Sequence, residues 1–145
     1  MNTIQDRKCV PEDQLCFPLY VASRELIKKY KPYLDALDLT YTQYITMLLL
    51  WEKPMMTVSE VGNRLYLDSG TLTPLLKKLE AKGYLHRARS TEDERNLNIS
   101  LTEEGKALRE RAADIASLVE QQLSLDTAEA VTLHRLLNKL LEINE

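Results

Sequence analysis

Apolar residues recur at helical intervals along most of the chain, and one stretch alone changes to a period of two. Leu15, Leu19, Ala22, Leu26 and Tyr30 follow at three- and four-residue steps, with Cys16, Tyr20 and Ile27 on the neighbouring stripe. Asp13 has the chemistry of an N-cap for this helix. Pro32 is expected to end or bend it near Tyr30, because proline lacks a donor and disfavours helical geometry in the residue before it. The apolar surface is wide for a single helix, which calls for a second partner such as another subunit.

Thr40 and Gln43 have the spacing of a capping box, behind which Tyr44, Met47, Leu48 and Trp51 fall at i, i+3, i+4 and i+7. This second helix should stop before Pro54. Thr57 and Glu60 repeat the capping pattern for a short helix with Val58, Val61 and Leu65 inward. Asp68 or Ser69 then caps a fourth helix whose Leu72, Leu75, Leu76 and Leu79 are the buried face and whose stop is Gly83. Pro74 leaves its exact start open.

The period of two belongs to Leu97, Ile99 and Leu101, which alternate with Asn98 and Ser100 as a half-buried strand requires. With residues 84–89 they flank a polar tip at 90–96, which reads as a hairpin. Thr102, followed by Glu103 and Glu104, caps a long helix carrying Leu108, Ala112, Ile115, Val119 and Gln122 along one stripe. Leu133, Leu136, Leu137, Leu140 and Leu141 mark a final helix. The expected fold is mainly α with a small β-hairpin wing. A winged helix-turn-helix DNA-binding domain (40–101) follows a flexible N-terminus (1–12) and a dimerisation and sensor helix (13–36), and precedes C-terminal dimerisation helices (102–145).

Composition adds a size limit and a charge pattern. At 145 residues with 44% apolar content, the chain can bury a core. Its formal charge of -3 argues against indiscriminate polyanion binding unless the positive residues are gathered. They are. Between positions 69 and 89 the bases are Lys77, Lys78, Lys82, Arg87 and Arg89 against Glu80 alone, whereas acids predominate after residue 102. The opening residues MNTIQDRK lack a signal-peptide core, and no apolar run reaches the roughly 18 residues of a membrane span. A soluble cytoplasmic protein without a membrane partner is the expectation. Cys9 and Cys16, the two cysteines, make neither a disulfide framework nor a zinc site.

In the fourth helix the leucines face inward and leave Ser69, Thr71, Thr73, Lys77 and Lys78 on other faces. Short hydroxyls approach base edges and lysines neutralise phosphate, which suits a helix entering the major groove; a solvated surface is the plainer reading of this helix alone. Arg87 and Arg89, two apart, project from one face of a strand, and Arg95 at the hairpin tip can reach a minor groove, with Asp93 placed to orient its guanidinium. Helix, turn, helix and basic wing in this order point to double-stranded DNA.

From residue 13 to residue 141 the chain resembles the MarR family of dimeric winged-helix regulators, with the wing signature Asp93-Glu94-Arg95. It is most similar to the organic-hydroperoxide-sensing repressors of that family. The narrower match lies in Leu15-Cys16-Phe17, Tyr20, Tyr30-Lys31-Pro32, Tyr41 and the run at 66–77, YLDSGTLTPLLK. The resemblance implies a homodimer on an inverted-repeat operator, with residues 69–78 in the major groove and Arg95, oriented by Asp93, in the minor groove. It also implies that Cys16 is the redox sensor, oxidised by an organic hydroperoxide acting as inducer, and that Tyr30 and Tyr41 of the partner subunit hold its thiolate, with Tyr20 nearby.

Physically, a cysteine in the first turn of a helix meets unpaired donors and a dipole that favour thiolate, and oxidation gives a sulfenic acid that a thiol converts to a disulfide. A small buried hydrophobe and ordinary packed tyrosines are the plainer readings of the same residues. Pro18 departs from the resembled group and is expected to distort the first turns. No cysteine follows Cys16, so an external small thiol is the expected second reactant, and Cys9 remains open between a partner and a bystander. No cofactor is expected and the chain is not read as an enzyme. The alternatives are a repressor of the same family released by a small aromatic ligand and, from another class, a thiol peroxidase.

Overall fold

The computed structural model describes residues 10–89 and 97–142. The chain divides into two compact units, Met1–Ile115 and Ala116–Glu145. In the first, α1 (Cys16–Asp35) and α2 (Tyr41–Glu52) lead to a short strand β1 (Met55–Thr57), the helix pair α3 (Val58–Leu65) and α4 (Ser69–Ala81), the strands β2 (Leu85–Arg89) and β3 (Leu97–Leu101), and α5 (Glu103–Ala112). A further helix, α6 (Ile115–Glu120), spans the boundary, and α7 (Thr127–Glu142) occupies the second unit. The mainly helical fold with a small antiparallel sheet agrees with the pattern of the sequence.

Local hydrogen bonds define the helix starts. The Thr40 hydroxyl accepts from the Gln43 N–H (3.2 Å) while the Gln43 side chain accepts from the Thr40 N–H (3.0 Å), closing the capping box of α2. Thr57 caps α3 through the Glu60 N–H, and Asp68 rather than Ser69 caps α4 through the Thr71 N–H (2.8 Å). Gly83, at φ +85, takes the left-handed conformation just past α4 that glycine alone adopts without strain. Met47, Leu50, Val61, Leu72, Leu76, Leu79, Leu85 and Ile99 are at most 2% exposed and form the core beneath these elements. Each such side chain stabilises the fold by about 1.5–3 kcal/mol through removal of its surface from water.

Four features differ from the sequence pattern. First, α1 begins at Cys16 with Leu15 as its N-cap, while Asp13 lies in a preceding 3-10 turn, Pro11–Asp13. Second, α1 continues through Pro32 to Asp35. Pro32 is exposed, the Lys31–Asp35 ion pair (2.9 Å) brackets it, and the added turn buries Leu34, so packing outweighs one missing donor. Third, the sheet has three strands in the order β1-β3-β2, with Met56 opposite Ile99 and Arg87 opposite Ile99 on the other side. Fourth, the expected long helix after Thr102 is interrupted at residues 113–114; Leu108, Ala112, Ile115 and Val119 of the stripe are each buried, but Gln122, beyond the end of α6, is exposed.

In the second unit, Val131, Leu133, Leu136, Leu140 and Leu141 on α7 are exposed, as are Leu15, Phe17, Leu19, Leu26 and Ile27 on α1 in the first. Apolar surface on this scale is unusual for a monomer. Among the described residues, no helix is long and apolar enough to cross a membrane and no three His, Cys, Asp or Glu side chains are grouped to hold a metal.

Candidate functional site

The helix-turn-helix is built by α3 and α4. Its connection passes through Tyr66, which takes a left-handed conformation (φ +55) at the end of α3, and through the Asp68 cap. The Thr71 backbone N–H, followed by the Thr71 hydroxyl, holds the Asp68 carboxyl below the usual carboxylate range. The negative charge thus sits where the α4 dipole favours it. With Leu72, Leu75, Leu76 and Leu79 turned into the core, Ser69, Thr71, Lys77 and Lys78 are exposed and Thr73 is half-buried. Pro74 lies inside α4 and faces solvent, as does Gly70, whose carbonyl loses an intrahelical partner to the proline ring.

The wing strands β2 and β3 pair antiparallel from Leu85 opposite Leu101 to Arg89 opposite Leu97. Arg87 is half-buried and committed within the chain. Its backbone N–H donates to Glu80 Oε2 (2.7 Å) and its Nε donates to Glu80 Oε1 (3.2 Å). The backbone bond, then the guanidinium, lowers the Glu80 pKa. Arg87 therefore ties the wing to the last turns of α4, and its charge is shared with a carboxylate. Asp93, Arg95 and Cys9 lie outside the described residues.

Cys16 is the first residue of α1 and is exposed; the α1 N-terminus has no side-chain cap. Pro18 is third in the helix, where its missing N–H has no intrahelical role, and the Leu19 N–H bonds to the Leu15 carbonyl directly after it (3.3 Å). The anticipated distortion is absent. Tyr30 and Tyr41 meet edge to face with centroids 5.3 Å apart, and Tyr44 joins them at 5.8 and 6.3 Å. Burial pushes the Tyr41 hydroxyl pKa up, so the group stays protonated and available as a donor at neutral pH. From the sequence Tyr44 reads only as a core residue; its position three after Tyr41 on α2 was the available signal.

Tyr20 is exposed and stands apart from that cluster, with the Arg24 guanidinium 5.3 Å over its ring. A cavity of about 470 Å³ between α1 and α2 nonetheless collects Tyr20 and Tyr41, together with Ile27, Leu34 and Leu39. Cys16 is fourteen residues from Tyr30 on the same regular helix, a separation of about 21 Å at the helical rise. Within one chain the sulfur and the tyrosine cluster are kept apart.

Comparison with known proteins matches residues 28–112 to the family model described as "Transcriptional regulator SarA/Rot". The organic hydroperoxide resistance transcriptional regulator of Bacillus subtilis (strain 168) is 56% identical over 108 residues, covering 74% of each chain. Reduced AbfR bound to DNA, a Staphylococcus epidermidis protein, is 35% identical with a TM-score of 0.80, over 92% of this chain and 94% of that one. The disulfide form of AbfR superposes less well, at 0.67 over 90% and 91%. A mutant MarR from E. coli complexed with operator DNA reaches 0.80 at 27% identity, over 88% and 93%. With its helix-turn-helix, its wing strands and these matches, the chain belongs to the MarR family of winged-helix transcriptional regulators, in the group that the SarA/Rot model describes.

Proposed function

We propose that the protein is a homodimeric repressor that binds an inverted-repeat DNA operator while Cys16 is reduced and releases it when an organic hydroperoxide oxidises that thiol. The observation that carries this reading is the placement of Cys16. It is exposed at the start of a helix whose apolar face is uncovered, about 21 Å from a tyrosine cluster that it can meet only on a second subunit. The relatives named as a hydroperoxide-resistance regulator and as reduced, DNA-bound AbfR support it.

In the dimer, the Cys16 thiolate accepts hydrogen bonds from Tyr30 and Tyr41 of the other subunit. It attacks the terminal oxygen of ROOH; the O–O bond breaks, the alkoxide leaves and is protonated to ROH, and sulfur becomes sulfenic acid after a two-electron oxidation. A small thiol then condenses with the sulfenic acid to a mixed disulfide and water. The sulfur no longer offers the tyrosines an anion, and the added group no longer fits the interface. On DNA, α4 enters the major groove with Ser69, Thr71 and Thr73 toward bases and sugars and Lys77 and Lys78 on phosphates. Arg95, oriented by Asp93, takes the minor groove, an assignment that rests on the sequence alone.

The test is operator binding by wild type and Cys16→Ser, with and without cumene hydroperoxide. Both bind and wild type alone lets go; a Cys16→Ser variant that still responds removes Cys16 from the mechanism. A second reading draws on the 470 Å³ cavity, whose size and largely apolar lining suit a small aromatic ligand. Under that reading a phenolic compound abolishes binding and peroxide leaves it intact.

A further inference from the structure

The corner between α1 and α2, residues 36–40, carries the N-cap of α2 and part of the cavity lining, and it faces the end of α4 across a cleft lined by Asp38, Leu39, Thr40, Lys78, Ala81 and Lys82. Lys82, the C-cap residue of α4, extends its ammonium to this corner. The Nζ donates to the Asp38 carbonyl and to Gln43 Oε1 (3.2 Å), and lies 3.5 Å from the Asp38 carboxylate. Asp38 is in a left-handed conformation (φ +54) in the middle of the corner.

Gln43 is 3% exposed, and its one side-chain oxygen already accepts from the Thr40 N–H at 3.0 Å. Two donors therefore fill the two lone pairs of that oxygen: the N–H that starts α2 and the ammonium that ends the recognition helix. From the other side, Arg111 of α5 donates to the Ala36 carbonyl (3.1 Å).

We infer that Lys82 and Gln43 are positioning residues that make the setting of the recognition helix depend on the α1–α2 corner. The sensor tyrosine Tyr41 follows Thr40 directly, so a shift of Tyr41 moves the N–H that Gln43 binds. Gln43 cannot follow without stretching its hydrogen bond to the Lys82 ammonium, and a charge-assisted hydrogen bond is among the stronger ones. Lys82 in turn ends the helix whose final N–H groups, those of Lys82, Gly83 and Tyr84, bond to the Lys78, Glu80 and Leu79 carbonyls. Displacement of the corner is thus delivered to the last turn of α4. The regulatory use of this link rests on the redox reading above; the link itself does not.

The experiment is a double-mutant cycle read by amide hydrogen exchange of residues 78–84 in the full chain. Tyr41→Ala perturbs the corner without peroxide, and Thr40→Ala, which removes a cap and little packing, is the milder alternative. Either change is expected to speed exchange at 78–84 by about tenfold in the presence of Lys82, and by less than about twofold in the Lys82→Met background. Lys82→Arg, which keeps a cationic donor, restores the response. If the effects of corner and Lys82 substitutions simply multiply, Lys82 is a stabilising contact only and the inference is overturned.

A parallel arm compares reduced and cumene-hydroperoxide-treated wild type with Cys16→Ser. A peroxide effect on 78–84 that vanishes in Cys16→Ser and in Lys82→Met supports both proposals. Its absence in wild type overturns the sensing reading, while the cycle still decides the link.

Discussion

If α4 grips phosphate through Lys77 and Lys78, operator affinity must fall with salt by an amount that the structure sets. Both lysines are exposed, and no ion pair among the described residues holds either of them. In the proposed homodimer, the two subunits present four such ammonium groups. At about 0.9 per neutralised phosphate, they contribute a slope of about -3.6 to log K against log salt, or roughly 150-fold in affinity between 50 and 200 mM. The perturbation is Lys77→Gln with Lys78→Gln, measured by fluorescence anisotropy of a labelled inverted-repeat duplex over that range. The doubly substituted protein should bind more weakly at every salt concentration and lose most of that slope. Arg87→Gln is the contrast: because Glu80 already holds its guanidinium, that change should lower stability and leave the slope nearly unaltered. An unchanged slope in the lysine variant, or an equal loss in Arg87→Gln, refutes this assignment of the phosphate contacts.

Three further outcomes concern the frame that holds the site. The Thr102 hydroxyl accepts from the Gly105 N–H (3.0 Å) and donates to the Gly83 carbonyl (2.6 Å). Thr102→Val should therefore cost about 2 kcal/mol in urea unfolding, and Thr102→Ser little. Gly105 is buried, and a Cβ there would strike the Tyr84 carbonyl and the Leu101 side chain, so Gly105→Ala should destabilise by about 1–3 kcal/mol in the same assay. The Asp68 carboxyl is held below its unfolded pKa, so its contribution is complete above the unfolded value and disappears as pH falls through the folded one. On acidification Asp68→Asn, which can still cap α4 but does not titrate, should lose less stability than wild type; equal losses in the two proteins would count against the cap.

The elements legible in the sequence are those whose defining contacts span three or four residues. The caps at Thr40, Thr57 and Thr102, the stop at Gly83 and the leucine face of α4 all appear in the structure, although at Thr57 only the hydroxyl half of the capping box forms and the Glu60 carboxylate pairs with Lys53. The choice between Asp68 and Ser69 turns on one hydrogen bond over the same short distance. Strand β1 was not legible: three residues carry too short a pattern, and its pairing with β3 joins positions more than forty residues apart. Pro32 misled for a related reason, since the penalty of a proline is local and the burial of Leu34 that outweighs it is tertiary.

The candidate site divides in the same way. Residue type and spacing alone picked out the hydroxyls and lysines of α4 as candidates, because helical face is a property of the linear chain, whereas Cys16 and the tyrosines stood out only through the family resemblance, their spacing being that of ordinary packed side chains. Tertiary structure alone decided that Arg87 is spent on Glu80, that Tyr44 completes an aromatic cluster with Tyr30 and Tyr41, and that Lys82 reaches across 39 residues to Gln43. Charge sums along a sequence count cations without their partners. A partner is chosen by the folded chain, where burial makes an unsatisfied charge or amide too costly to leave, and that choice separates a lysine available to DNA from one that holds the protein together.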